Sequence, residues 1–289
     1  MGYGGEDRYV PQAAKNTAQL CRLEARVVEL RHRDDIIGSR ELLPLVRAEL
    51  DSVSRLADET VYTDRLAVRL RTVIAELAQL VGWIASDAGY YRYAEQVYLA
   101  GTIAADTAGD RVLGAQLLSS LAYQITNIGK REDGLLIAKT AVASATNATP
   151  TARALLLERL AWAAARCHDP DTCQRALDAV DDAYDRRHPG ITEPEWVYWL
   201  NRAEVDVMAA RCHIQLGQPA HAEPCSPAPW PATTATTCVR SASTKPGWPK
   251  ATPVPATSTP PAPSSTASTP APSQPAPYAS NAASTPSTA

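Results

Sequence analysis

AELAQLVGWIASDAGYYRYAEQVYLAGTIAADTAGD, Ala75 to Asp110, decides how this chain folds. Two apolar stretches of helical period flank the breaker Asp87-Ala88-Gly89, with a small residue on each side, Gly82 before it and Ala94 after it. The same pair, 12 residues apart, returns as Ala122 and Gly134, Ala161 and Cys173, and Ala210 and Ala222. Successive first members are 40, 39 and 49 residues apart. Another breaker falls inside each pair: Asn127-Ile128-Gly129-Lys130, His168-Asp169-Pro170-Asp171 and Leu216-Gly217-Gln218-Pro219. Each unit therefore reads as helix, tight turn, helix. Small residues at such points let two antiparallel backbones approach where a larger side chain would wedge them apart. One hairpin cannot bury its own apolar face, so the units are expected to stack into a solenoid.

Outward from the repeats, Gln12 to Arg33 forms an amphipathic helical segment with Leu20, Leu23, Val27 and Leu30 on one stripe. Gly38-Ser39 ends it, and a second helix is expected through Ala57, with Pro44 tolerated in its first turn. No period-2 run bounded by turn signals is present, so strands are not indicated. Downstream, Glu223 to Ala289 holds 16 of the 23 prolines and no Leu, Ile or Met. Such a stretch cannot offset the entropy cost of ordering and is expected to be disordered. The expected fold is all-α, with N-terminal helices over 1–60 serving as a linker or docking region. About 3.5 helical repeats follow over 61–224, then a disordered Pro/Ser/Thr/Ala tail over 225–289.

These units resemble the tetratricopeptide (TPR) repeat. Val81-Gly82, Gly89, Ala94 and Tyr98 fall at its spacing, followed by Leu121-Ala122, Gly129 and Gly134, then Leu160-Ala161 and Cys173, then Ala210, Gly217 and Ala222. The family repeats about every 34 residues; the surplus here is expected in longer helices or in loops such as Ala145 to Pro150 and Arg186 to Pro194. The wording of Gly38–Leu50, Ala75–Asp110 and Leu113–Gly129 is similar to the repeat-containing C-terminal half of actinobacterial Xre-type helix-turn-helix regulators. That resemblance, from about Arg40 to Pro224, implies a right-handed solenoid of antiparallel helix pairs that senses a ligand or grips a partner in a transcription-control system. It also implies that the first helix of each unit lines the concave face. The position after each small residue then points into the groove: Trp83, Tyr123, Trp162 and Arg211. Asp87, Asn127, Arg166 and Gln215, three or four places on, are the matching polar row. Met1 to Arg40 contains one long helix and no recognition helix, so operator binding is not expected of this chain. The likeness stops near Pro224, and a frameshift is the expected origin of the tail.

All 31 acidic side chains, but only 25 of the 28 basic ones, precede position 224, a balance with no bulk attraction for nucleic acid or anionic membrane. Arg22, Arg26, Arg31, His32 and Arg33 interleave with Glu24, Glu29, Asp34 and Asp35, which reads as a solvated face. The same helix is long enough to serve as a docking or homodimer contact. Met1 to Val10 has no apolar signal core, and no stretch approaches a membrane span, so a cytoplasmic protein with free thiols is expected. Cys167-His168-Asp169-Pro170-Asp171-Thr172-Cys173 carries metal-type ligands at a spacing unlike zinc sites, and reads as an inter-helix turn. No G-x-S-x-G, P-loop or H-E-x-x-H occurs. The expected function is non-catalytic binding of a protein, peptide or small effector, with no cofactor. The alternative is a stand-alone scaffold unrelated to transcription.

Overall fold

The computed structural model describes residues 12–59 and 63–222, all within one compact unit, Met1–Ala251. The tail over 225–289, which the sequence marks as disordered, lies outside the described residues. Among the described residues there are ten α-helices and no strand. They are α1 (Gln12–Asp34), α2 (Ser39–Glu59), α3 (Asp64–Asp87), α4 (Tyr91–Ala108), α5 (Arg111–Asn127), α6 (Arg131–Ser144), α7 (Pro150–Arg166), α8 (Pro170–Asp185), α9 (Arg202–Gln215) and α10 (Pro219–Ala222). The odd-numbered helices pack side by side in chain order. Each even-numbered helix from α4 to α8 packs between its two odd neighbours, so the pairs follow one another as a layered stack.

The repeat is exact at its turns. Seven residues after each small residue stands one in the left-handed region: Gly89 (φ 88°), Gly129 (φ 114°), His168 (φ 56°) and Gly217 (φ 74°). The next N–H then reaches back five residues, as Tyr90 to the Ala85 carbonyl (2.8 Å), Lys130 to Ile125 (3.2 Å), Asp169 to Ala164 (3.0 Å) and Gln218 to His213 (2.9 Å). This closure satisfies carbonyls that the end of a helix would otherwise leave unpaired. The Cys167–Cys173 stretch is one of these turns, with Asp169 accepting from the Thr172 N–H at 3.0 Å as helix cap.

Within the α3–α4 hairpin the closest approach sits at Gly82. A Cβ there would lie 2.5 Å from the ring of Tyr98, one helical turn beyond the Ala94 that the 12-residue spacing pairs with it. Gly101 does the same between α4 and its neighbours, where a Cβ would meet Ala78 at 2.7 Å and Leu117 at 2.8 Å.

Two features of the N-terminal helices differ from the sequence reading. Pro44 lies inside α2, past its first turn, at the cost of one backbone hydrogen bond. The α1 stripe Leu20, Val27 and Leu30 is turned onto α3 and belongs to one continuous core that runs on to Val205. Arg31 and Asp34 are also buried, so the charged run of α1 is only partly a solvated face; Arg26 and Arg33, each 2.6 Å from Glu29, keep to it.

The surplus residues of the later units do form loops, 145–149 between α6 and α7 and 186–201 between α8 and α9. The second, which includes a 3-10 turn at Glu195–Val197, runs back to the first helix. The Tyr198 hydroxyl donates to Asp35 Oδ2 at 2.6 Å and its ring lies 4.5 Å from that of His32. No helix among the described residues is long and apolar enough to cross a membrane.

A recess beneath the α8–α9 connection as candidate site

Covering the odd helices with a connecting segment creates a half-open recess. Its volume is about 470 Å³. Arg31 and Asp34 of α1, with Asp35 just beyond it, close one end. The floor is Gln79, Leu80 and Trp83 of α3 and Gln116 and Tyr123 of α5. Glu158 and Arg159 of α7 and Met208 of α9 form the far wall, and Trp196, Tyr198, Trp199 and Asn201 form the cover.

An aromatic column crosses the floor. Trp83 and Tyr123 lie 6.1 Å apart between ring centres with planes 28° apart, and Trp162 continues the column 6.4 Å from Tyr123. The Arg159 guanidinium sits over both of the first two rings, 4.9 Å from Trp83 and 4.4 Å from Tyr123. Arg211 lies 4.7 Å from the Trp162 ring and donates to the Tyr123 hydroxyl at 3.3 Å. Electron-rich ring faces thus stabilise two cations in a region of little water.

The remaining charges are buried less comfortably. Arg31, 6% exposed, donates to Gln79 Oε1 at 2.9 Å and to the carbonyl and carboxylate of Glu76 at 3.5 Å. Burial lowers its pKa, and Glu76 partly restores it. Asp34 is pushed up to about 7, first by burial and then by the charges of Asp87 and Asp35. Glu158 is only 1% exposed. Burial, reinforced by Glu204, raises its carboxyl to about 8. Neither Glu158 oxygen has a hydrogen-bond partner, nor has Asp34 Oδ1 or Arg159 Nη1. Buried polar atoms are normally paired, so this cluster of exceptions in one recess is a functional signal.

Of the residues expected in the groove, the structure gathers Trp83, Tyr123, Trp162 and Arg211 into the column, with Trp83 and Tyr123 lining the recess. The polar row lies one turn away and ties neighbouring units together. Asp87 accepts from Ser39 of α2, Asn127 accepts from the Trp162 indole at 3.0 Å, and Arg166 donates to Gln215 at 3.3 Å. Beside Trp83 and Tyr123, the recess is lined by Gln79, Leu80, Glu158, Arg159 and Met208, which stand two or three places before the small residues. Glu158-Arg159, an ion-type pair inside the apolar run Ala154 to Ala165, is the signal that could have found them. The cover was marked by the aromatic cluster Trp196-Val197-Tyr198-Trp199. Among the described residues no group of three or more His, Cys, Asp or Glu could hold a metal ion.

No protein-family model matches the chain, and no curated protein matches it significantly.

Proposed function

We propose that this chain is a non-catalytic effector-binding module that holds a small molecule, or the end of a peptide, in the recess between the odd helices and the α8–α9 connection. The observation that carries the proposal is the recess itself: about 470 Å³, floored by rings and bordered by buried charged groups without partners. That volume is in the range of small-ligand sites, and the lining combines aromatic and aliphatic surface with convergent polar groups that could fix a ligand's orientation. A segment that crosses the helices suits a compact ligand better than a long peptide threading the whole face. The resemblance to the repeat halves of Xre-type regulators supports a role in transcription control, with DNA contact supplied by another chain or segment. Specific retardation of genomic fragments by this chain alone would overturn that assignment.

Thermal stabilisation by size-separated fractions of a cell extract tests the binding reading. A fraction below about 1 kDa at 100 times its Kd contributes about 2.7 kcal/mol, a rise of several degrees for a domain of this size. Leu80→Trp, which fills the recess from its floor, is expected to abolish the rise. Stabilisation that survives Leu80→Trp in full would place the ligand elsewhere and sink the proposal.

A further inference from the structure

The unpartnered groups of the recess are unequal in kind. Arg31 has Gln79 and Glu76 but no partner at Nε, and Arg159 has two ring faces but no partner at Nη1. Three carboxylate oxygens have nothing either: both of Glu158 and Oδ1 of Asp34. Glu158 is thus unpartnered at both of its polar atoms, whereas each arginine lacks a partner at one nitrogen. Trp83, Trp196 and Trp199 line the same space and offer apolar contact and negative ring faces to an occupant. Resting on the reading of the recess as the binding site, we infer that its ligand is an organic ammonium ion carrying N–H donors on an apolar body. Its N–H groups bond the Glu158 carboxylate and its body lies among the tryptophans.

The chemistry requires donors as well as charge. A quaternary ammonium would satisfy the ring faces but leave both Glu158 oxygens unpaired, whereas a primary ammonium supplies three N–H groups. An anion would meet Arg159 but would leave both Glu158 oxygens without a donor. Charge-assisted bonds to a buried carboxylate are the strong kind, so Glu158 is expected to dominate selectivity for charge. The titratable groups that act on Glu158 or feel it are Arg159 on its own helix and Glu204, Arg211 and Cys212 on α9. Arg159 and Arg211 favour its ionised form and Glu204 opposes it. With the carboxyl raised to about 8, binding of a cation draws off its proton, and affinity increases with pH from about 6 to about 9 while the amine stays protonated.

The probes are 2-phenylethylamine, its neutral analogue 2-phenylethanol, the anion 3-phenylpropanoate and zwitterionic phenylalanine, titrated into the full chain by calorimetry with tryptophan fluorescence alongside. The amine is expected to bind, with the alcohol weaker by about tenfold or more and the acid silent. Proton release should appear as a dependence of the heat on buffer ionisation. Glu158→Gln keeps the shape, removes the charge and is expected to bring amine and alcohol to similar affinity without loss of folding. Leu80→Trp is expected to remove binding of every probe. If the alcohol or acid binds as tightly as the amine and Leu80→Trp abolishes it, the ammonium inference is overturned while the recess remains the site. If no probe binds, the ammonium inference also falls, and the extract fractions alone then decide the recess.

Discussion

Glu158, beside Arg159, places a carboxyl in the apolar run Ala154 to Ala165, and the consequence is measurable without any ligand. A carboxyl whose folded pKa is raised keeps its proton in the fold and loses it on unfolding. The folded state then binds more protons between an unfolded pKa of about 4 and the folded value of about 8, so stability falls as pH rises through that window. The slope reaches about 1.4 kcal/mol per pH unit for one such group. Denaturant midpoints measured across this range are expected to fall more steeply for the natural protein than for Glu158→Gln, and parallel curves would show that the carboxyl is not held neutral. His168 offers a second measurement at this scale. It holds a left-handed conformation (φ 56°) at the turn position that the other three units give to glycine. That conformation is costly for a residue with a Cβ. His168→Gly is expected to stabilise the chain by about 0.5–1 kcal/mol by calorimetry, and a loss would mean that the imidazole makes a compensating contact. Both residues were visible in the sequence for different reasons. The turn position follows from repeat spacing alone, whereas the direction in which Glu158 points needs the helix placed against α5 and α9.

At the scale of elements, hairpin order was legible because the first helix of each pair ends on the same backbone device. The position of the recess was not. Local period tells which side of a helix is apolar, but a cover formed by residues 186–201 depends on a contact 163 residues distant, Tyr198 with Asp35. The same limit explains why Arg31 and Asp34 read as solvated: their burial is supplied by α3 and by that connection. The Tyr198–Asp35 bond is exposed and is expected to contribute less than about 1 kcal/mol to stability. Its removal should instead free the cover. Tyr198→Phe is expected to speed tryptic cleavage at the exposed Arg186 and Arg187 and to quicken ligand release, with the thermal midpoint nearly unchanged. Unaltered cleavage would mean that the buried Trp196 and Val197 hold the connection by themselves.

For the whole described unit, the return contact changes how unfolding should proceed. In an open stack each pair touches only its neighbours, so ends can fray independently and the transition broadens. Here one continuous core runs from Leu20 to Val205, and the segment before α9 is bonded to the end of α1. Fraying of α1 therefore also uncovers the recess with Trp83, Trp196 and Trp199, and loss of α9 loosens the cover on α1. The two ends are coupled through a space that a simple stack would leave open. Helical circular dichroism and tryptophan fluorescence are accordingly expected to report one coincident denaturant transition for the natural chain. In a Tyr198→Phe, Asp35→Ala double variant the fluorescence change should precede the loss of helix, because the cover opens before the stack melts. Coincident transitions in that variant as well would show that cooperativity comes from neighbour packing alone. The cover would then be a passenger of the stack rather than a brace across it.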